Sequence, residues 1–376
     1  MMKNKTNGSA PDSVAACQNG EEPKKKQSIR KYLLSAGFLL VLMAVTFYVI
    51  FRDTSINQIW DLLKTIKLYW AAGGLLCMLG FILFQGLVIG LSAQCLRIRL
   101  SPWEMLQYSF VSFFYSGITP SAIGGQPMQF YHMCRDKMSP STATLVLFIT
   151  NMAYQFVIVV LGLFMFFTKL HYVIRVNRTI IILFFLGLSV NLFILLILFG
   201  VMFSENLLRK ILRGAVSFLS RIKLIKNSEK VLCTVDVYLD DYKAGIALIK
   251  NNSKRFVLIL LSTAAHFLLY HLIPFFVFKS FGLKGDSFFD LLAISAILYV
   301  AINMFPLPGS VGAAEGGFVM LFGPLFGKAI MPAMLLSRFI NFYTMLLVSG
   351  GFSAFAQLRK PYDLTRDSRR NKSAAE

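Results

Sequence analysis

The sequence predicts an all-α integral membrane protein with about eight transmembrane helices, two broken or re-entrant segments and an inverted-topology repeat. Three observations predict it. Of 376 residues, 56% are hydrophobic and 15% are charged, whereas a soluble domain averages roughly 25% charged residues. Uncharged runs of 20 residues or more recur along the chain, the length needed to cross a hydrocarbon core about 30 Å thick. Two Pro/Gly-rich interruptions stand 188 residues apart. So little charge cannot cover a water-facing surface, which excludes a soluble enzyme, a disordered chain and a nucleic-acid-binding domain. The net charge of +20, from 38 Lys+Arg and 18 Asp+Glu, then belongs to loops facing anionic lipid.

The elements follow in chain order. Residues 1–31 form a basic tail ending in Lys24-Lys25-Lys26, Arg30 and Lys31. The first apolar block, 32–51, has no small-residue cleavage site at its end and reads as a retained helix. Further blocks cover 68–96, 105–134, 139–168, 179–204, 256–278, 291–314 and 339–358. The third holds Gly117, Pro120, Gly124, Gly125 and Pro127. The seventh ends in Pro306, Pro308, Gly309 and Gly312 and runs on through Gly316, Gly317, Pro324 and Pro332. Proline lacks a backbone donor and clashes with the preceding turn, so each region should divide into a helix, an irregular turn and a returning half-helix. Such backbone is tolerated at membrane depth only when buried in protein or lining a cavity. Counting each break as an extra crossing gives ten passes.

Charge sets the expected orientation. With the N-terminus inside, the cytoplasmic segments carry 28 of the 38 Lys+Arg and the outer segments 9, which predicts both termini in the cytoplasm of a multi-pass plasma (inner) membrane protein. The segment 205–255 reads as two amphipathic helices. The first carries Leu208, Ile211, Leu212, Ala215, Leu219 and Ile222 on one face, and the second carries Leu232, Val235, Leu239, Tyr242, Ile246 and Ile249. The expected organisation is therefore a first membrane repeat over 32–168, a second over 169–358 that includes 205–255, and a polar tail over 359–376.

The repeat rests on an ungapped match of residues 120–130 to 308–318, with Pro120 facing Pro308, Gly124 facing Gly312 and Phe130 facing Phe318. Blocks two and six also begin 188 residues apart. Corresponding passes run in opposite directions, the pattern of an inverted repeat, which places broken helices and the substrate site near the midplane.

Chemistry-bearing motifs are few. The sequence holds no phosphate loop, no Gly-x-Ser-x-Gly and no His-Glu-x-x-His. The five Cys have wide spacings and no Cys-x-x-Cys, so neither a disulfide framework nor a zinc site is expected. No cofactor and no metal is expected, and any transport must run downhill or on a gradient. Two ionisable residues are expected within the membrane, Glu315 at the start of the second half-helix and Arg338 inside the last span. Charge at the bilayer centre costs roughly 2.5–3.5 kcal/mol even on the lenient scale. Either Arg338 attracts a lipid phosphate while Glu315 meets a cationic group, or the two form a structural pair. Half-helix N-termini near Gly124, Gly125 and Gly312 offer N–H groups to anions. With them, Pro120, Gln126, Gln129, Asn151, Asn303, Pro308, Gly309 and Asn341 complete the expected substrate path. His266 and His271 are expected to face neighbouring helices.

The stretches 118–127 (Ile-Thr-Pro-Ser-Ala-Ile-Gly-Gly-Gln-Pro) and 305–316 (Phe-Pro-Leu-Pro-Gly-Ser-Val-Gly-Ala-Ala-Glu-Gly) resemble the two signature stretches of the lysylphosphatidylglycerol synthase transmembrane region, the flippase-like integral membrane proteins. The resemblance covers about residues 30–358. It implies a lipid translocase moving an aminoacylated phospholipid such as lysyl-phosphatidylglycerol, or another polar lipid, between leaflets. In full-length proteins of this kind a separate C-terminal domain adds lysine from charged tRNA; here 18 residues follow Leu358, which implies the translocating half without the synthase half. The alternatives are a phosphatidylglycerol lysyltransferase component, acting in lipid metabolism and resistance to cationic antimicrobial peptides, and a small-solute secondary transporter. The implied partners are membrane phospholipid and a separate synthase domain or protein, with no nucleic acid.

Overall fold

The computed structural model describes residues 64, 66–176, 178–203, 214, 253–285, 288–303, 305 and 307–358. The first predicted span, both tails, nearly all of the 205–255 amphipathic segment and Pro306 lie outside the described residues. Within them the chain is helical, with no strand. The helices are α1 (Leu68–Cys95), α2 (Pro102–Ile118), α3 (Gly125–Arg135), α4 (Pro140–Thr168), α5 (Leu170–Val176), α6 (Arg178–Phe203), α7 (Ser253–Ser280), α8 (Phe288–Ile302), α9 (Ala313–Phe326), α10 (Ile330–Arg338) and α11 (Thr344–Leu358). Five stretches are long and apolar enough to cross a membrane: Leu68–Cys95, Pro140–Thr168, Thr179–Val201, Lys254–Ser280 and the interrupted run Pro308–Leu358.

Helix starts follow local chemistry. The Ser101 hydroxyl accepts the Glu104 N–H at 3.3 Å and the Glu104 carboxylate accepts the Ser101 N–H at 2.7 Å. This capping box, with Pro102 at the first helical position, starts α2 three residues before the apolar run does. Ser139 caps α4 in the same way, accepting the Thr142 N–H, with Pro140 following it.

Both predicted breaks are present. Between α2 and α3 the chain makes a 3-10 turn, Pro120–Ala122; between α8 and α9 it makes another, Pro308–Ser310. The two turns pack against each other. Ala122 has φ 54° and Ser310 has φ 50°, both in the left-handed region that costs a non-glycine residue roughly 1–2 kcal/mol. These positions are 188 apart in sequence, so both turns carry a left-handed residue at the same place, while only the second adds positive φ at Gly309 and Gly312. The ends of α1 and α7 match too, with positive φ two residues past each helix, at Arg97 and Gly282, and positive φ also follows α3 and α9, at Lys137 and Gly327.

The packing repeats as well. α1 packs on α2 as α7 does on α8, α2 on α3 as α8 on α9, α3 on α4 as α9 on α10, and α2 on α11 as α8 on α4. The two halves meet along α1 and α7. The Lys67 N–H donates to the Ser280 carbonyl at one end of this pair. Phe81 stacks on His266 near the middle at 3.8 Å between ring centroids, and Arg255 Nη1 donates to the Gln94 carbonyl at the other end. The helices are therefore antiparallel. A two-fold axis that exchanges two antiparallel helices is perpendicular to both. For helices that span a bilayer, that axis lies in the membrane plane, which is the inverted topology. α6 packs outside this core on α4 and α8.

Candidate functional site

The broken turn of the second half builds a buried ionic site. Pro308 opens the turn, Gly309 follows at φ 57°, and Gly312 at φ 87° leads into α9. Only glycine adopts such angles without strain. A Cβ at Gly309 would also sit 2.3 Å from the Phe342 ring. This tight turn aims the Gly309 carbonyl and the Gly312 N–H toward one point, where Glu315 and Arg338 meet.

Glu315 is 2% exposed and Arg338 7% exposed. Arg338 Nε donates to Glu315 Oε1 at 2.6 Å, and its Nη2 donates to the Gly309 carbonyl at 3.0 Å. Glu315 Oε2 accepts the Gly312 N–H at 2.6 Å. The guanidinium lies 5.1 Å from the centroid of the Phe342 ring. One ion pair thus ties the turn, the half-helix α9 and the last long helix together. Immediately after Arg338 the backbone makes one π-helical turn, Phe339–Tyr343. Such bulges are often found at functional sites.

Beside Arg338 lies a cavity of about 40 Å³. It has room for a water or two and none for a lipid head group. Tyr270, Ser295, Tyr299, Ser337 and Asn341 contribute polar atoms to its wall, and Phe318 and Phe322 are among its apolar lining. Asn341 Oδ1 is buried with no hydrogen-bond partner among the described residues. Pro274 also lines the cavity from within α7. Lacking an N–H, it cannot bond the Tyr270 carbonyl one turn earlier. Ser295 is held by His271, whose Nδ1 lies 3.1 Å from the hydroxyl. His266 Nδ1 donates to the Phe81 carbonyl at 2.7 Å, and its ring stacks on Tyr154. Both histidines face neighbouring helices.

Several sequence expectations change here. Of the two alternatives for Glu315 and Arg338, the structure has them in direct contact. The reason is the tightness of the Gly309–Gly312 turn. The half-helix N-termini do not offer the Gly124 and Gly312 amides to an anion. The Gly124 N–H donates to Thr119 Oγ1 at 2.9 Å, and Gly312 is occupied by Glu315. The predicted polar residues do not share one cavity. Asn341 lines the Arg338 cavity; Asn303 is exposed. Gln129 is buried and donates to the Tyr108 carbonyl. Gln126 is exposed and donates to Asn151 Oδ1 at 2.6 Å. Gly125 serves close approach, since a Cβ there would lie 2.8 Å from the Ser112 carbonyl. Sequence reasoning missed Tyr270, Ser295, Tyr299 and Ser337; the one signal toward them was Pro274 inside an apolar helix.

Among the described residues no group of three His, Cys, Asp or Glu could hold a metal ion. The described part of the site holds one buried ion pair, a wet-sized cavity and two strained turns in contact.

Comparison with known proteins agrees with the fold. A "UPF0104 membrane protein" of Archaeoglobus fulgidus is 24% identical over 310 residues, covering 81% of this chain and 92% of that protein. The family described as "Lysylphosphatidylglycerol synthase TM region" matches residues 32–349, which takes in both broken turns, Glu315 and Arg338. This chain belongs to the lysylphosphatidylglycerol synthase TM region family.

Proposed function

We propose that this protein translocates a polar phospholipid between the leaflets of the plasma membrane, with both termini cytoplasmic. Its lipid carries a phosphate and an ammonium, as an aminoacylated phosphatidylglycerol does. The observation that carries this reading is the Glu315–Arg338 pair, buried where the two broken turns meet. A buried ion pair that loses one partner is destabilised by roughly 3–5 kcal/mol, because the other charge is left uncompensated. A head group bearing a single charge can replace only one side of the pair. A head group bearing both signs replaces the whole pair: its phosphate takes the guanidinium, which binds phosphate through parallel N–H donors, and its ammonium takes Glu315. The small cavity requires the helices around Arg338 to part as the head group arrives.

Purified protein in vesicles supplies the test. A labelled phospholipid carrying both phosphate and ammonium should change leaflets faster than in empty vesicles, and faster than labelled phosphatidylglycerol. Transfer no faster than in empty vesicles for every polar lipid tried overturns the reading. Transfer of lysine from charged tRNA to phosphatidylglycerol by the purified chain alone would replace it with a lysyltransferase.

A further inference from the structure

The cavity beside Arg338 is electrically one-sided. Its wall includes the guanidinium and, among the described residues, no Asp or Glu. Glu315 is not part of that wall; its two oxygens are taken by Arg338 Nε and the Gly312 N–H. A guanidinium does not lose its proton inside a protein, so a fixed positive charge borders the space.

The polar groups around that charge have unmet hydrogen-bonding capacity. Arg338 uses Nε on Glu315 and Nη2 on the Gly309 carbonyl, while Nη1 has no partner among the described residues. The hydroxyls of Tyr270, Tyr299 and Ser337 have none there either, and neither has Asn341 Oδ1. Ser295 Oγ lies 3.1 Å from His271 Nδ1; a ring proton donated to it leaves the hydroxyl's own hydrogen for the cavity. The groups come from apolar helices. In α8, Ser295 and Tyr299 stand one turn apart and are the only polar residues after Asp290. Ser337 and Asn341 stand one turn apart at the end of α10 and in the π-helical turn. Buried polar groups are normally hydrogen-bonded because leaving them unmet is costly, so so many in one small space point to an occupant.

The chemistry of the wall selects that occupant. The guanidinium repels a cation. A water donates as readily as it accepts, whereas a halide only accepts, from every donor that surrounds it. Each hydroxyl can turn to donate, and the Asn341 amide can rotate its N–H groups inward. A volume of about 40 Å³ admits a monatomic ion and excludes a lipid head group. We infer that this cavity binds a small monatomic anion of the halide class, chloride foremost, held by Arg338 Nη1 and the ring of hydroxyls. The site does not depend on the translocase reading.

Equilibrium dialysis of the purified full-length protein against radioactive chloride reads the site directly and tolerates slow entry of the ion. Gluconate keeps the ionic strength constant. The parent protein should bind a single chloride saturably, and bromide should displace it. Tyr299→Phe and Ser337→Ala each delete one donor, and each should weaken binding about tenfold. Their melting temperatures in gluconate show that they fold, and where one does not, the other carries the test. Chloride should raise the melting temperature of the parent more than that of either variant, as a ligand of the folded state does. No saturable chloride binding overturns the site and leaves the cavity to water. Saturable binding that a folded variant does not weaken places the ion elsewhere and overturns it too. Chloride binding without lipid transfer in vesicles removes the translocase reading and leaves the anion site standing; lipid transfer without chloride binding does the reverse.

Discussion

Arg338 uses two of its nitrogens on different partners, Nε on Glu315 and Nη2 on the Gly309 carbonyl. A lysine ammonium at the end of a flexible stem cannot copy that fork. Arg338→Lys should therefore impair lipid transfer nearly as much as Arg338→Ala. Removing the guanidinium also leaves the buried Glu315 carboxylate without its countercharge, so Arg338→Ala should lower stability by about 3–5 kcal/mol, read as a fall in melting temperature in detergent. Glu315→Gln combined with Arg338→Met removes both charges and should restore most of that stability. The double variant separates the two roles. If it recovers folding and transfer together, the pair is structural only; recovered folding with transfer still lost ties the charges to the head group. The pairing of these residues was one of two alternatives legible in the sequence. The choice between them depended on three-dimensional closeness set by two left-handed glycines, which spacing along the chain cannot reveal.

At the scale of elements, the glycine pairs that look alike in sequence differ in what they do. A methyl at Gly125 would sit 2.1 Å from Ser116 Oγ and 2.8 Å from the Ser112 carbonyl. The hydroxyl can rotate away; the backbone carbonyl cannot, so α3 would have to move off α2. Gly125→Ala should cost about 1–3 kcal/mol, in the range of other overpacked sites. Gly316 lies in the first turns of α9 with no atom within 4 Å of where its Cβ would be. Gly316→Ala should stabilise by roughly 0.5–1 kcal/mol through helix propensity. Thermal melting of the two variants in one detergent checks both signs at once. The breaks themselves were legible, because proline and glycine act locally on the backbone they belong to. Their contents were less so. Gln126, Gln129, Asn303 and Asn341 were grouped by polarity, yet helical phase sends them to different surfaces. The start of α2 was misplaced by three residues because apolar runs were counted and the Ser101–Glu104 capping box was not.

The whole molecule has two ends, and their assignment to the two sides of the membrane is the last consequence. The α1–α7 pair puts Gln94 and Arg255 at one end and Lys67 and Ser280 at the other. Arg135 donates to the Ala356 and Gln357 carbonyls, so the ends of α3 and α11 share an end. Helix lengths and connections put that end with Gln94 and Arg255, because α4 starts beside α3 and packs along α1. The ion pair between Lys169 and Asp290 joins the far end of α4 to the start of α8, on the side of Lys67 and Ser280. The inverted repeat was readable because the chain repeats its elements in order at a nearly constant offset, 185 to 190 residues between matched helix starts; the antiparallel meeting of α1 and α7 was not, since it depends on which faces pack. Basic residues gather at the first end, including Arg97, Arg99, Arg135, Lys137, Lys254 and Arg255, and the positive-inside rule favours the cytoplasm for that end, the orientation proposed above. A cysteine at Lys284, exposed at the other end, should react in intact cells with a membrane-impermeant thiol reagent. One at Arg99, also exposed, should react only after the membrane is opened. Each variant is compared with the parent protein, whose Cys77 and Cys95 are buried. Labelling of Arg99→Cys in intact cells with Lys284→Cys protected would invert the proposed orientation.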